Sequence, residues 1–159
     1  MSTGANPEAS IWLGAVTSIA ARTRGSVVEM SRQAESAVTQ PRNPGGWPSQ
    51  WRLAVSARIA ALNGQRSLTE HYLAAVTEPA LRDLADPAQP GRDARERIVL
   101  AFMDKVAREP RAVLADDIDA LKSAGVPNAD IVRLCELNAF MGYQCRVLAG
   151  LALLQGDAA

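Results

Sequence analysis

The sequence predicts an all-α fold of about seven helices. Alanine is abundant, aromatic residues make up only 4% of the chain, and β-branched residues do not cluster; this composition favours helices over strands. Apolar residues recur at helical spacing in several segments, and no segment shows the alternation of a half-buried strand. The 159 residues suit one domain with a real core, which we expect to span 8–159 after a loose tail at 1–7.

Two helices are expected before the first strong break in the chain. They are predicted at about 8–22 and 26–39, and the break is the segment 41–48, PRNPGGWP. Its three prolines and two glycines cannot continue a helix. Ser49 is then predicted to cap a helix with an apolar face, which ends at Asn63 because a glycine follows.

A short helix should follow this turn. Ser67 and Glu70 match a capping box, in which each side chain would bond the backbone amide of the other residue. The predicted helix carries His71 and Tyr72 in its first turns and ends near Val76. His71 is the only histidine of the chain and could serve as a general base near neutral pH; a partly exposed helix residue without a catalytic role is the structural alternative.

The second half of the chain gives clearer helical patterns. After a proline-rich break, apolar residues recur at i, i+1, i+4, i+5 and i+8 over about 93–108, which is helical spacing. A short helix around 114–121 should stop at Gly125. Asn128 should cap a last helix that runs to about Leu154.

The last helix is predicted to be apolar on two faces. One face carries apolar residues at positions 131, 134, 135, 141, 145, 148 and 152, and the other at 137, 140, 147, 151 and 154. A helix that is apolar nearly all round must be covered nearly all round. In a chain of this size that predicts a subunit interface as well as a core, so we expect a homodimer or a larger homo-oligomer.

Charge and cysteine content argue against several classes of protein. Seventeen basic residues balance seventeen acidic ones, and without a basic block there is no electrostatic case for nucleic acid. The apolar run at 10–21 is too short to span a bilayer and no basic residue precedes it, so we expect a cytoplasmic protein that does not bind membranes. Cys135 and Cys145 are too few for a disulfide scaffold, and on one helix they would lie ~15 Å apart.

Two regions of the sequence resemble one protein family. The first is residues 95–151, with RERIVLAFMDKVAREPRAV, DIDALKSAGVPNADIVRL and AFMGYQCRVLAGL; the second is residues 51–76, WRLAVSARIAALNGQRSLTEHYLAAV. Together they resemble the carboxymuconolactone decarboxylase-like family, which includes alkylhydroperoxidase D, and Arg146 matches an arginine of that family. The resemblance covers roughly 24–154. It implies the alkylhydroperoxidase D-like helical fold and assembly into dimers, trimers or hexamers, and we expect no cofactor and no metal.

The redox motif of this family, E-x11-C-x2-C-x3-H, is absent at the matching positions. Placed by the asparagine-glycine turn, these positions fall on Leu53, Gln65, Leu68 and Tyr72. In the motif the cysteines open a helix whose dipole lowers a thiol pKa, and the glutamate and histidine relay protons. The sequence thus resembles a branch that keeps the fold and lacks the redox cysteines, while His71 stands one position before that of the motif's histidine.

Three functions are compatible with these residues. The first is a protein that binds a small organic molecule, with non-redox chemistry or none. His71 would then be the base, Tyr72 the proton donor and Arg146 the anchor for a carboxylate. Gln65 and Ser67 would bind the ligand beside the free amides of the helix start.

The other two functions use other features of the chain. A thiol-dependent alkylhydroperoxidase would reduce peroxides with Cys135 or Cys145. The structural alternative is that both thiols are buried and unreactive. A structural subunit of an oligomer would leave no polar pocket near residue 65, and Arg146 would then pair with an acidic side chain such as Glu136. If the protein is an enzyme, it is therefore a non-redox, lyase-like enzyme or a peroxidase-type oxidoreductase.

Overall fold

The computed structural model describes residues 25–155. The regular elements in this range are helices, with no strand among them. Seven α-helices and two short 3-10 helices follow one another. They are α1 (Gly25–Thr39), α2 (Ser49–Leu62), α3 (Arg66–Ala75), α4 (Pro79–Arg82), a 3-10 helix (Asp83–Ala85), α5 (Ala94–Arg108), a second 3-10 helix (Pro110–Ala112), α6 (Ala115–Ser123) and α7 (Asn128–Gln155). The predicted tail at 1–7 and helix at about 8–22 lie outside the described residues. None of the described helices is long and apolar enough to cross a membrane.

Helix α2 forms the centre of the fold. It packs against α1, α3, α5 and α7, and every residue from 51 to 60 is buried. The sequence predicted an apolar face on this helix; the structure buries its other faces as well. Small residues such as Ala54, Ser56 and Ala57 make this possible, because they let neighbouring helices approach closely.

Two buried arginines fix the proline-rich breaks on either side of the core. Arg52 is 1% exposed and donates to three backbone carbonyl oxygens between residues 38 and 47. Arg58 donates two bonds of 2.7 Å to the Asp104 carboxylate and four more to carbonyl oxygens of residues 84–89. The breaks are therefore tied to α2 by charge-assisted hydrogen bonds, which are the stronger kind.

The turn between α2 and α3 explains where α3 begins. Gly64 has a φ of 69°, and the amides of Gly64 and Gln65 donate to the carbonyls of Ala61 and Ala60. These bonds close α2 in a Schellman motif. The next helix therefore starts at once, at Arg66, with Gln65 in the cap position.

The two predicted serine caps are wrong. Ser49 is the first residue of α2; Pro48 holds the position before it, and no side chain caps the helix. Ser67 lies inside α3, because the Schellman turn starts that helix one residue earlier. Glu70 accordingly accepts from Arg66 Nε at 3.0 Å rather than from the Ser67 amide.

The second half of the chain follows the prediction more closely. Helix α5 begins after Asp93, whose carboxylate accepts from the Glu96 amide at 2.8 Å, and α6 ends at a turn in which Gly125 has a φ of 76°. Helix α7 runs for 28 residues from Asn128. The predicted asparagine cap is wrong in the same way as the serine caps, because Asn128 is the first helical residue and the Pro127 carbonyl before it accepts from the Ile131 amide. The chain itself buries or half-buries both predicted apolar faces of α7 up to residue 152, so those faces need no second subunit to cover them.

Candidate functional site

A cavity of about 230 Å³ opens between α1, α2 and α3. Helix α3 contributes His71, Tyr72 and Ala75, α2 contributes Leu53, and α1 with the residue after it contributes Arg32, Glu35, Ser36, Thr39 and Gln40. The lining thus combines a carboxylate, an imidazole and a phenol with apolar groups. The two residues that the sequence predicts as catalytic, His71 and Tyr72, both face this cavity.

The apolar stripe of α3 sets the direction of these side chains. Leu68 and Tyr72 are four residues apart and therefore share a face of the helix, and both are buried. His71 lies at the edge of that face, where its side chain stays 19% exposed. The core thus draws Tyr72 inward and leaves His71 at the cavity surface.

Tyr72 is the most deeply buried titratable group of the cavity. It is 1% exposed, and its hydroxyl oxygen lies 2.7 Å from Glu35 Oε1 and 2.7 Å from Gln144 Oε1 on α7. The hydroxyl carries one proton and the carboxylate is the stronger acceptor, so the hydroxyl donates to Glu35 in preference. Burial, followed by the charge of Glu35, raises the pKa of Tyr72 far above its ordinary value of 10.0. The phenol therefore stays protonated and acts as a donor.

Glu35 also links Tyr72 to His71. The Nε2 atom of His71 lies 3.8 Å from Glu35 Oε1, the same oxygen that Tyr72 contacts. The imidazole ring stands edge-on to the Tyr72 ring, with 5.1 Å between the ring centroids. The Glu35 side chain is 17% exposed. One carboxylate oxygen thus accepts from a phenol and lies 3.8 Å from an imidazole at the edge of a cavity.

Sequence reasoning missed Glu35 and Gln144. Glu35 belongs to no motif, and 37 residues separate it from Tyr72. Gln144 lies in the segment AFMGYQCRVLAGL that carries the family resemblance, but the sequence predicts no role for it. The available signal was weak: Gln144 is a polar residue inside an otherwise apolar helix, and a buried amide there needs a partner.

The other predicted ligand residues lie away from this cavity. Gln65 occupies the turn before α3, where its carbonyl accepts from the Thr69 amide, and Ser67 is exposed. Arg146 is exposed on α7, and the expected ion pair with Glu136 does not form. Within residues 25–155, no group of three or more histidine, cysteine, aspartate or glutamate side chains is placed to hold a metal ion.

Both cysteines lie on α7 and neither lines the cavity. Burial raises the pKa of the Cys145 thiol to about 11. Burial, and then the charge of Glu136, raises the pKa of Cys135. Because the thiolate is the nucleophile, both groups are held in their unreactive, protonated form at neutral pH.

Comparisons with known proteins support the fold. No protein-family model matches the sequence, and no curated protein matches it significantly. Three solved chains do match. One is an uncharacterized peroxidase-related protein from Silicibacter sp. TM1040, with a TM-score of 0.68 at 19% sequence identity over 79% of this chain and 68% of that chain. At this identity the likeness concerns the fold, and it confirms the predicted all-α, alkylhydroperoxidase D-like fold class.

Proposed function

We propose that this protein is a carboxymuconolactone decarboxylase-like protein that binds a small organic molecule in the cavity of Glu35, His71 and Tyr72. The observation that carries the proposal is the junction of these three side chains on one carboxylate oxygen. A concave site with a few converging polar groups is the usual form of a small-molecule site. The protein would assemble as a homo-oligomer, as the family resemblance implies; the apolar faces of α7 no longer support this, because the chain covers them itself.

The position of the cavity agrees with the family resemblance. Leu53 and Tyr72 stand where the family's redox motif has its glutamate and histidine, and both line the cavity. The cavity thus lies where the resemblance would place an active site, with different groups on its walls. The polar pocket that the sequence predicts near residue 65 is displaced, since Gln65 does not line this cavity; the support for a ligand site over a purely structural subunit is the polar cavity beside Leu53 and Tyr72.

The groups on the walls suit proton transfer rather than electron transfer. Tyr72 stays protonated and can donate a hydrogen bond. The His71 imidazole lies beside the Glu35 carboxylate, with Nε2 3.8 Å from Oε1. A ligand that gives a proton to His71 would meet a base, and its oxygen would accept from Tyr72 by taking the place of Glu35 as the acceptor of the single hydroxyl proton.

The cavity also limits the size of the ligand. Its volume of about 230 Å³ is below the roughly 300–1,000 Å³ of drug-sized pockets. Leu53 and Ala75 offer an apolar wall, so the ligand would combine a small hydrocarbon part with one hydroxyl, carbonyl or lactone group.

The single histidine provides a direct test of binding. Because the chain has one histidine, the ring C–H signals of His71 are its only imidazole signals in an NMR spectrum. We would titrate untagged protein with phenol, cyclohexanone and γ-butyrolactone. At least one should shift these signals saturably, and Tyr72→Phe should weaken that binding roughly tenfold through loss of one hydrogen bond. Tyr143→Phe, on the exposed side of α7, is the matched control.

Two outcomes would count against the proposal. If none of the three probes shifts the His71 signals, the structural-subunit alternative is favoured. If Tyr72→Phe and Tyr143→Phe bind equally well, the cavity is not the binding site.

A second assay separates this proposal from the thiol-dependent alkylhydroperoxidase. Wild type and the double variant Cys135→Ser/Cys145→Ser would be given cumene hydroperoxide with dithiothreitol as reductant. Because both thiol pKa values are raised, we expect no enzyme-dependent turnover in either protein. Turnover that vanishes in the double variant would show that α7 carries redox chemistry.

A further inference from the structure

A second cavity, of about 320 Å³, lies where the end of the first break meets α2, α4 and the start of α5. It is lined by Gly46, Trp47, Pro48, Trp51, Glu78, Leu81, Arg92, Asp93, Arg95 and Glu96. It shares no lining residue with the cavity of His71. Neither the fold nor the proposed function assigns it a role.

Arg95 is the unusual cation of this cavity. It makes no hydrogen bond or ion pair within residues 25–155, and its buried Nε atom has no acceptor. Its guanidinium carbon lies 5.2 Å from the ring centroid of Trp47. The other arginines of the described chain that lack a polar partner are all exposed, whereas Arg95 is half-buried. A half-buried charge without a counterion is a site where an anion would be stabilised.

Trp47 supplies a second donor without an acceptor. It is 5% exposed, and its indole Nε1 has no hydrogen-bond partner in the described structure. Its neighbour Trp51 differs, because its Nε1 donates to Glu96 Oε1 at 2.9 Å. Buried donors are rarely left without acceptors. Two such donors, Trp47 Nε1 and Arg95 Nε, therefore belong to the lining of a single cavity.

Two carboxylates of the cavity already have partners. Arg92 pairs with Glu96 at 2.7 Å, and the Asp93 side chain accepts from a backbone amide at the start of α5. The charge of Glu78 acts on Arg92, where it helps to raise the pKa of that guanidinium after the larger effect of Glu96. The lining carries three carboxylates and two guanidinium groups, and of these two cations Arg95 is the one that no hydrogen bond or ion pair holds within residues 25–155.

We propose that this cavity binds a small carboxylate with an apolar body. The carboxylate oxygens would accept from the guanidinium of Arg95 and from Trp47 Nε1–H. A carboxylate suits this arginine because both groups are planar and can form paired hydrogen bonds. The body would pack on the aromatic and aliphatic wall of Trp51 and Leu81. Both donor nitrogens are buried from solvent in this conformation. Binding therefore requires the Arg95 side chain to move off the Trp47 ring, and no hydrogen bond or ion pair holds it there.

Benzoate is a suitable probe because it joins a carboxylate to a flat apolar ring. Titration would be followed through the indole N–H signals in a ¹H–¹⁵N spectrum, with the Trp47 signal assigned by its absence in Trp47→Phe. Benzoate should move this signal saturably, and benzyl alcohol, which has the same ring without the charge, should not. Arg95→Gln should weaken benzoate binding at least tenfold, roughly the effect of losing a charged hydrogen bond. Arg97→Gln, an exposed arginine on the same helix, should bind like wild type.

Several results would overturn the proposal. They are no saturable shift with benzoate, equal shifts with benzyl alcohol, or equal affinities of Arg95→Gln and Arg97→Gln. Inorganic phosphate that competes better than benzoate would also overturn it, because the site would then select a tetrahedral anion. The chain has three tryptophans, and a saturable shift of any of their indole N–H signals with benzoate but not with benzyl alcohol can be read on the wild-type protein, so the proposal stays testable if a variant fails to fold.

Discussion

Replacing Tyr72 by phenylalanine should destabilise the protein far more than the same change at Tyr143. Both substitutions remove one hydroxyl and keep the aromatic ring, so the pair isolates the hydrogen bonds. The Tyr72 hydroxyl contacts Glu35 and Gln144, both at 2.7 Å. The Tyr143 hydroxyl makes one bond of 2.9 Å, to Ser31.

The expected magnitudes follow from burial and charge. Tyr72 is 1% exposed, and loss of its hydroxyl would remove the one proton that it donates to the charged, partly buried Glu35 carboxylate. Hydrogen bonds to charged groups contribute about 1.5–3 kcal/mol, so we expect a loss of roughly that size. Tyr143 is 39% exposed, and water can replace its single bond, so the loss there should be about 0.5–1 kcal/mol.

Urea unfolding at neutral pH measures both losses. The midpoint should fall for both variants while the m-value stays unchanged, which would indicate that only stability has altered. If Tyr72→Phe costs no more than Tyr143→Phe, then the junction of Glu35, Tyr72 and Gln144 is not formed in solution. The proposed site would lose its central group in that case.

Three further predictions concern other parts of the chain. Arg58→Met should lower the free energy of unfolding by roughly 3–5 kcal/mol, because it leaves the Asp104 carboxylate unpaired; a loss below about 1 kcal/mol in urea would contradict this. Burial tends to raise the pKa of Glu96, but its hydrogen bonds outweigh burial and lower the pKa below the ordinary 4.5. The ionised carboxylate of Glu96 therefore stabilises the protein above pH 4.5, and this contribution is lost as the pH falls through its lower pKa in the folded state. Glu96→Gln should make the free energy of unfolding decline less steeply in acid, and an unchanged decline would contradict this prediction. Finally, Glu136 and Arg146 are exposed on one face of α7, and antiparallel pairing of two α7 helices would place Glu136 against the partner's Arg146. Glu136→Arg and Arg146→Glu should each shift the protein towards monomer in light scattering, and the double variant should restore the oligomer. A monomeric wild type would rule this pairing out.

The helices of the chain were predictable because particular residue types, above all proline and glycine, set their boundaries. The prolines and glycines of 41–48 stop a helix wherever they occur, and Gly64 and Gly125 adopt the positive φ that ends one. The helix predicted over about 93–108 from its apolar spacing is α5, which begins after Asp93. Ser67 was misplaced because the choice between two adjacent cap positions depends on backbone bonds of the preceding turn, which no residue type reveals.

Burial was harder to predict than helix position. The sequence of α2 shows one apolar face, yet residues 51–60 are buried on every side. Arg52 and Arg58 have side chains that usually lie in water. They are buried here because backbone carbonyl oxygens surround them, from the chain just before α2 for Arg52 and from the second break, about 30 residues on, for Arg58; such contacts depend on the packing of the fold.

The polar groups of the cavity come from positions that the family motif does not use. Leu68, at the position of the second motif cysteine, is fully buried in the core, and Gln65, at the first, lies in the turn before α3. The cavity instead takes its carboxylate from Glu35 on α1 and its phenol and imidazole from neighbouring residues of α3. Only the packing of α1 against α7 and beside α3 brings that carboxylate to Tyr72, so no reading of one helix could have found it. Among the described residues, the walls of this cavity offer proton donors and acceptors and no thiol.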